Sequence, residues 1–344
     1  MNARRAGLAL RARLGLDDFP VDAAWAPDGA SCAIACGEGA LVLVDFKGTA
    51  PAVHELGRHA GGALALAWQP AGPLFASSGA DGRVLLWDVR TRAARELLRG
   101  TAWSEHLAFA RHGKWLAAAS GREILVFDAQ GAELARFADH PGTINAIAWR
   151  PKPVELAALS QGGLRLHRLE PVATVAFDWN AACLTASWSP DGRIIASGLQ
   201  EGAVHFWNVA TTKQSEMKGY GSKVQFTSFS ANSRLLATAA GELIVVWDFG
   251  GAGPEGSTPR QLRAHTERVT QLAFQPEGPC LASGARDRRL LLWQPALGAE
   301  PLDADLLGDE VALLRWSRDG QRLLAGDRAG RLSLYALAAP AAGR

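Results

Sequence analysis

Two groups of side chains in this sequence have the residue types of a nucleophilic catalytic site. Each group holds a serine, a histidine and an aspartate together with a tryptophan, and the two groups are His59, Ser77, Asp81 and Trp87, and His265, Ser283, Asp287 and Trp293. A serine activated by a histidine that an aspartate orients is the arrangement of many acyl-transfer enzymes. The two groups are copies of one pattern. Whether their role is catalytic or structural therefore depends on the secondary structure in which they lie.

The other titratable residues form no alternative motif in the sequence. The four cysteines (Cys32, Cys36, Cys183 and Cys280) show no CxxC spacing, and we expect a reduced chain. Cys32 and Cys36 fall on the same face of one strand, where we expect them to be small apolar filler. The remaining histidines are scattered, and the glycines at 37–39 belong to a hairpin turn and not to a phosphate-binding loop. The sequence therefore predicts no metal and no cofactor.

The composition is that of a globular chain with nearly balanced charge. The 344 residues are 48% hydrophobic and 20% charged, with a formal net charge of +2. This balance disfavours nucleic-acid binding, which normally requires a continuous basic surface. No run of about 18 apolar residues is present, and arginines interrupt the apolar N-terminal stretch, so neither a membrane span nor a signal peptide is predicted.

The elements that must position these side chains are repeated units of about 40 residues. Residues 64–89 show the unit most clearly, as three short strands separated by a QPAG turn and an Ala-Asp-Gly turn. An aromatic residue that closes the first strand recurs every 39 to 45 residues, at Trp25, Trp68, Phe109, Trp149, Trp188, Phe229, Phe274 and Trp316. One such sheet cannot bury both faces, and neighbouring copies supply the missing contacts.

This period and these motifs resemble the WD40-repeat β-propeller proteins over about residues 19–337. The resemblance implies an all-β fold of four-stranded antiparallel blades, with eight blades predicted and seven as the alternative. We predict a single domain over residues 1–344, closed by an N-terminal strand at about 8–14 that joins the last blade, with a short tail at 338–344. Closing the ring would remove exposed sheet edges.

The resemblance also implies a structural role for the two Ser/His/Asp groups. In this family such residues form a buried hydrogen-bonded relay that stiffens the blade. The fourth copy departs from the pattern, with Gln161 and His167 in place of aspartate and tryptophan, and the fifth has Trp179 in place of histidine. We expect these two blades to depend on apolar packing alone and the fourth to be the loosest.

Surface recognition is the function that this pattern favours. Positions at the loop ends of the blades are the candidates for partner binding, because Arg and Trp bring directional hydrogen bonds and large contact area. The candidates are Phe19, Trp103, Glu105, Lys223, Arg268, Arg286, Glu310 and Arg328. We expect an acidic protein segment to bind near the arginines, with an apolar anchor near Trp103.

The sequence thus predicts a monomeric, cytoplasmic, non-catalytic interaction scaffold. A propeller enzyme, or a small-ligand or metal binder that uses a central channel, is the alternative, although the first strands are mostly apolar or small. The Ala-rich, Arg-rich and Lys-poor composition is typical of high-GC bacteria, so a bacterial protein is expected.

Overall fold

The computed structural model describes residues 7–251 and 253–338, and every regular element in them is a β-strand. These strands form eight antiparallel sheets, which are the blades of the predicted β-propeller class. The all-β prediction with eight blades is therefore confirmed, and the alternative of seven blades is wrong. The chain divides into a middle unit, residues 21–219, and a terminal unit, which joins the residues up to 20 to those from 220 onward.

The middle unit contains blades 1 to 5, apart from Pro20, the first residue of β2. Blade 1 consists of β2 (Pro20–Trp25), β3 (Ser31–Cys36), β4 (Ala40–Asp45) and β5 (Ala52–Arg58), and blade 2 of β6 (Ala63–Trp68), β7 (Leu74–Gly79), β8 (Arg83–Asp88) and β9 (Ala93–Arg99). Blade 3 consists of β10 (His106–Phe109), β11 (Trp115–Ser120), β12 (Glu123–Asp128) and β13 (Glu133–Phe137). Blade 4 consists of β14 (Ile144–Trp149), β15 (Leu156–Leu169) and β16 (Val172–Ala182), and blade 5 of β17 (Ser187–Trp188), β18 (Ile194–Gly198), β19 (Val204–Asn208) and β20 (Gln214–Met217).

The terminal unit contains blades 6 to 8. Blade 6 consists of β21 (Phe226–Phe229), β22 (Leu235–Ala240), β23 (Leu243–Asp248) and β24 (Arg260–Leu262), and blade 7 of β25 (Val269–Phe274), β26 (Leu281–Ala285), β27 (Arg289–Trp293) and β28 (Asp303–Leu306). Blade 8 combines β29 (Val311–Trp316), β30 (Arg322–Asp327) and β31 (Arg331–Ala338) with β1 (Gly7–Gly15).

The N-terminal strand completes the last blade, as the sequence predicted. β1 pairs antiparallel with β31, from Gly7 opposite Ala338 to Gly15 opposite Arg331. Ala338, the first residue of the predicted tail, ends β31, and the remainder of that tail lies outside the described residues. The single-domain assignment stays a prediction.

Blade 4 differs from the others because its second and third strands are continuous. The first part of β15 pairs with β14, from Leu156 opposite Trp149 to Ser160 opposite Ile144. The part from Gln161 onward pairs with β16. Gly162 and Gly163, with φ of 100° and 104°, turn the chain between the two parts. β15 therefore takes the place of two strands of the predicted four-stranded blade.

Three of the aromatic residues that mark the repeat link neighbouring blades by hydrogen bonds. In the middle unit, the indole N–H of Trp149 donates to the carbonyl of Ala108 at 2.9 Å, and that of Trp188 donates to Ala148 at 3.1 Å. In the terminal unit, Trp316 donates to Ala273 at 3.1 Å. Each bond joins the end of one first strand to the first strand of the preceding blade, so the repeat period also sets the stacking of the blades.

The apolar core lies between the sheets of neighbouring blades. In the middle unit, Leu41 and Leu43 of blade 1 pack in one cluster with Phe75 and Trp87 of blade 2. In the terminal unit, residues of β22 and β23 pack in the same way against β25 to β27. All four cysteines are buried.

Candidate functional sites

Blade 2 holds the first Ser/His/Asp group as a buried chain of hydrogen bonds. His59 Nδ1 lies 2.9 Å from Asp81 Oδ1, and His59 Nε2 lies 2.9 Å from Ser77 Oγ. Trp87 Nε1 donates to the same Ser77 Oγ at 2.9 Å. Asp81 stands in the Asp-Gly turn between β7 and β8, where it also accepts the backbone N–H groups of Ala60 and Arg83. The turn aspartate thus ties the loop entering the blade to the hairpin.

Blade 7 repeats this chain with nearly the same distances. His265 Nδ1 lies 3.0 Å from Asp287 Oδ2, His265 Nε2 lies 2.8 Å from Ser283 Oγ, and Trp293 Nε1 donates to Ser283 Oγ at 2.8 Å. Backbone N–H groups of Thr266 and Arg289 bind the Asp287 carboxylate. The two groups are therefore equivalent parts of their blades.

The bonds connect serine, histidine and aspartate as a catalytic triad would, but the serine is closed to substrate. Ser77 and Ser283 are both 0% exposed. Each Oγ already accepts a tryptophan N–H, which occupies one of its two lone pairs. Because a nucleophile must reach the reacting carbonyl, these serines serve to join histidine to tryptophan.

Asp81 and Asp287, the aspartates of the two hydrogen-bonded groups, are held in their charged form. Burial alone would raise the pKa of the Asp81 carboxyl, but hydrogen bonds from His59 and from backbone N–H groups lower the pKa below its ordinary value. The same balance lowers the pKa of Asp287. Hydrogen bonds donated to a carboxylate favour the ionised form.

Blade 4 contains a different buried chain, in which two histidines meet directly. His140 Nε2 lies 3.0 Å from His167 Nε2. His140 Nδ1 donates to the backbone carbonyl of Arg122 at 3.0 Å, and Thr174 Oγ1 lies 2.9 Å from His167 Nδ1. With Nδ1 of His140 protonated, His167 Nε2 donates to His140 and Thr174 donates to His167 Nδ1. The prediction that blade 4 depends on apolar packing alone is wrong, because histidine at the tryptophan position reaches its neighbour.

Blade 5 replaces the chain mainly with aromatic packing. The rings of Trp179 and His205 lie 3.9 Å apart between centroids, and His205 packs against Trp207 at 4.4 Å. His205 Nε2 donates to Gln214 Oε1 at 3.2 Å. The prediction of apolar packing alone is wrong here too, because this one polar bond joins the aromatic group.

Five of the eight residues predicted to bind a partner lie in the terminal unit as one connected group, which we call the arginine cluster: Phe19, Arg268, Arg286, Glu310 and Arg328. The Glu310 carboxylate forms ion pairs with Arg286 Nε at 3.3 Å and with Arg328 Nε. The Arg328 guanidinium lies over the Phe19 ring, 5.3 Å from its centroid. The Arg286 N–H donates to the carbonyl of Arg268 at 3.0 Å. The cluster therefore spans the loop ends of blades 7 and 8.

Strand contacts between blades 7 and 8 fix the frame of the arginine cluster. Thr270 Oγ1 donates to the carbonyl of Val311 at 2.5 Å, and Gln271 Nε2 donates to that of Ala312 at 2.8 Å. Both donors follow Arg268 on β25, and both acceptors follow Glu310 on β29. Arg268 and Glu310 thus lie directly before two strands that are hydrogen-bonded to each other. The Arg286 and Arg328 side chains are each 52% exposed.

Lys223 belongs to the same unit but is not joined to the cluster by any contact in the described residues. It is half-buried just before β21.

Trp103 and Glu105 lie in the middle unit and share a pocket of about 210 Å³ with Ala119, Gly121, Thr143 and Ile144. Trp103 is 57% exposed, the one large exposed aromatic side chain among the described residues. The loop that enters blade 3, the end of β11 with its turn, and the start of blade 4 each contribute part of the wall. Sequence reasoning predicted the first two as binding residues and placed Thr143 on the same loop face. It missed Ala119, Gly121 and Ile144, which are small or apolar and carry no compositional signal.

Among residues 7–251 and 253–338, no group of three or more His, Cys, Asp or Glu side chains could hold a metal ion. No helix in the same residues is long and apolar enough to cross a membrane.

Comparison with known families matches three parts of the chain to a repeat model. The model is described as WD domain, G-beta repeat, and it matches residues 51–88, 170–208 and 256–294. Each matched segment runs from the outer strand of one blade to the third strand of the next. The resemblance predicted from the repeat is thereby confirmed.

The curated relatives share this chain's repeats at low identity. B-type cell cycle switch protein ccs52A of Medicago truncatula is 24% identical over 293 residues, which are 81% of this chain and 51% of the relative. Cell division cycle 20.6, cofactor of APC complex, of Arabidopsis thaliana is 25% identical over 288 residues, 78% of this chain and 56% of that protein. Coronin-7 of Homo sapiens is 27% identical over 206 residues, 54% of this chain and 22% of that protein. The chain spans about half the length of the first two.

These relatives correct one expectation from composition. All three are eukaryotic proteins, from two plants and from human, so the expectation of a bacterial protein is wrong. The reason is that alanine and arginine content follows the base composition of a genome, whereas similarity to relatives depends on the residues that build the repeat.

Proposed function

Because this chain is built of WD40 repeats, we propose that it is a non-catalytic interaction protein that binds a protein segment on the loop ends of its blades. A relative named as a cofactor of the APC complex supports this proposal, since its similarity covers 78% of this chain. Rigid strands that carry exposed loops are a common basis for binding surfaces.

The docking surface of the proposal is the arginine cluster, and the segment that it binds is acidic. The observation that carries this choice is the convergence of two half-exposed arginines on one carboxylate, with a third arginine beside them on the same blade ends. The cluster contains three arginines and one glutamate, so it keeps an excess of positive charge. An acidic segment would complement that charge.

The ion pairs with Glu310 support binding because they hold the guanidinium groups in place. Arg286 and Arg328 both contact Glu310 through Nε. No other ion pair of these two side chains occurs in the described residues, and their terminal amino groups can therefore bind a second carboxylate in a fork geometry. Side chains that are ordered before binding lose less conformational entropy when the partner arrives.

The test uses peptides of defined charge. An array of segments rich in Asp and Glu, with matched Asn and Gln versions, is probed with wild-type protein and with the double variant Arg268→Glu/Arg286→Glu. We expect wild type to retain the acidic peptides and not the amide versions, and the double variant to lose them without a change in melting temperature.

A charge-matched control variant is available in the same unit. Arg234→Glu/Arg263→Glu makes the same change in net charge at two exposed arginines of blade 6. This control should retain the acidic peptides. Equal retention by both double variants would exclude the arginine cluster, and equal retention of acidic and amide peptides would exclude an acidic segment.

A further inference from the structure

The Trp103 pocket has a rigid wall that comes from three segments of the middle unit. Ser120 Oγ donates to the carbonyl of Ala102 at 3.2 Å, and Ser104 is 0% exposed. The N–H of Ile144 donates to the carbonyl of Gly121 at 2.9 Å, which joins the blade 4 wall to the β11 turn. Trp103 and Glu105 therefore flank a buried residue in a loop that is tied down on one side.

The polar groups at this pocket have no partner among the residues that the structure describes. In the described residues, the Trp103 indole, the Glu105 carboxylate and the Thr143 hydroxyl form no hydrogen bond, ion pair or ring contact. All three residues are exposed. Elsewhere on the surface acidic side chains are commonly paired, as Glu96 is with Arg83 and Arg99. Glu105 is thus a carboxylate that is available to a ligand.

The charge of the pocket is negative. Glu105 is the only ionisable side chain among the six lining residues, and the face of an indole ring attracts cations. Arg122 follows Gly121 in the chain, but its guanidinium donates two hydrogen bonds to the carbonyl of His140, at 2.8 and 2.6 Å. The Arg122 guanidinium is therefore bound to the carbonyl of His140.

We propose that the Trp103 pocket binds an arginine side chain of a protein segment. A planar guanidinium can stack on the Trp103 indole and donate two parallel hydrogen bonds to the Glu105 carboxylate, and its remaining N–H groups can reach the Thr143 hydroxyl. A compact ammonium group lacks both the flat face and the fork. The volume of about 210 Å³ lies below the range of pockets for drug-sized ligands, which begins at about 300 Å³, and suits one side chain.

This site has the opposite charge preference to the arginine cluster and revises the apolar anchor predicted at Trp103. It rests on the proposed function only in that the ligand is again a protein segment. The two sites are tested with separate probes, so that either can fail alone.

The experiment follows Trp103 directly. Protein labelled with 5-fluorotryptophan gives one ¹⁹F resonance for Trp103, which the Trp103→Phe variant identifies by its loss. The probes are three blocked pentapeptides, Gly-Ser-X-Ser-Gly, in which X is arginine, lysine or citrulline. We expect a saturable shift with arginine, a weaker response with lysine and none with citrulline, which keeps the shape of arginine without its charge.

Glu105→Gln supplies the decisive variant and Glu201→Gln its control, since Glu201 is an exposed carboxylate of blade 5. Loss of a hydrogen-bonded charge should weaken arginine binding roughly tenfold in Glu105→Gln, while Glu201→Gln binds as wild type does. An unmoved Trp103 resonance, an equal response to arginine and citrulline, or unchanged affinity in Glu105→Gln would overturn the proposal.

One set of variants distinguishes the two proposals. Arg268→Glu/Arg286→Glu should keep the arginine pentapeptide and lose the acidic peptides, and Glu105→Gln should do the reverse. Loss of both ligands in either variant would overturn the assignment of two independent sites.

Discussion

Blades 2 and 4 come from the same repeat and lie in the same unit, yet they bury different polar chains. In blade 2 a serine joins His59 to Trp87, and the aspartate of the turn holds the other nitrogen of the histidine. In blade 4 two histidines bond directly, and a backbone carbonyl replaces the aspartate. The position of the chain is kept while its chemistry changes.

The strand register is the same in the two blades, and the residue at one position of it explains the difference. Ser77 lies opposite Leu66 in blade 2, and Ala158 lies opposite Ile147 at the equivalent place in blade 4. Ala158 has no hydroxyl to join a histidine to a tryptophan N–H. His167 supplies a ring nitrogen in the place of the indole, and this nitrogen lies 3.0 Å from His140. A buried donor must find an acceptor. Blade 4 meets this requirement because alanine at the serine position is accompanied by histidine at the tryptophan position.

The largest effect should come from removing the tryptophan of blade 2. Trp87 is 5% exposed and stacks on Phe75 with centroids 5.9 Å apart. Trp87→Ala should lower the free energy of unfolding by about 3 to 5 kcal/mol, because it opens a cavity and removes the N–H that binds Ser77. Denaturant unfolding of purified wild type and variant measures the loss.

Trp293→Ala in blade 7 is the matched replacement, because Trp293 forms the same bond to Ser283 and is 0% exposed. It should cost a similar amount. A loss of unfolding free energy below about 1 kcal/mol in either variant would show that the tryptophan and its hydrogen bond stabilise the blade no more than a surface residue does.

Outside blade 4, where β15 takes the place of two predicted strands, the sequence was sufficient to predict the strands and the count of blades, because they follow from a repeated pattern. The closing strand, predicted at 8–14, is Gly7–Gly15, and the aromatic markers fall at the ends of first strands. Eight copies in phase leave few alternatives for pairing. The hydrogen-bonded partners of His59 and His265 follow from the same pattern.

The sequence was insufficient where a residue departs from the pattern. The repeat pattern shows that His167 stands in place of a tryptophan. It does not show that a ring nitrogen of His167 comes within hydrogen-bonding distance of His140. The arginine cluster shows the same limit. Arg286 and Arg328 could be placed at blade ends from alignment, but the position of Glu310 between them depends on how two blades pack.

The histidine chain of blade 4 should make the protein sensitive to acid in a defined range. Burial, and then the neighbouring His140, lower the pKa of His167 from 6.5 to about 3. The unfolded chain therefore binds a proton below about pH 6.5 that the folded His167 does not. This contribution to stability is complete above pH 6.5 and decreases as the pH falls toward 3, by at most about 1.4 kcal/mol per pH unit.

His167→Phe isolates this contribution, because phenylalanine keeps a ring and removes both nitrogens. The difference in unfolding free energy between wild type and variant, measured at several pH values, should shrink as the pH falls from 7 to 5. Carboxylates titrate in both proteins and cancel in the difference. A difference that does not change with pH would show that His167 is protonated in the folded protein or that its side chain is exposed to water.

Trp103→Ala should have the smallest effect on stability and sets the lower end of the comparison. It makes the same replacement as Trp87→Ala, but Trp103 is 57% exposed and forms no bond in the described residues. We expect the free energy of unfolding to stay within about 0.5 kcal/mol of wild type, as for most surface substitutions. The variant should still lose the arginine pentapeptide, since the indole face is the surface on which the guanidinium stacks. If Trp103→Ala costs as much as Trp87→Ala, its ring is part of the core, and the pocket has no aromatic face to offer a ligand.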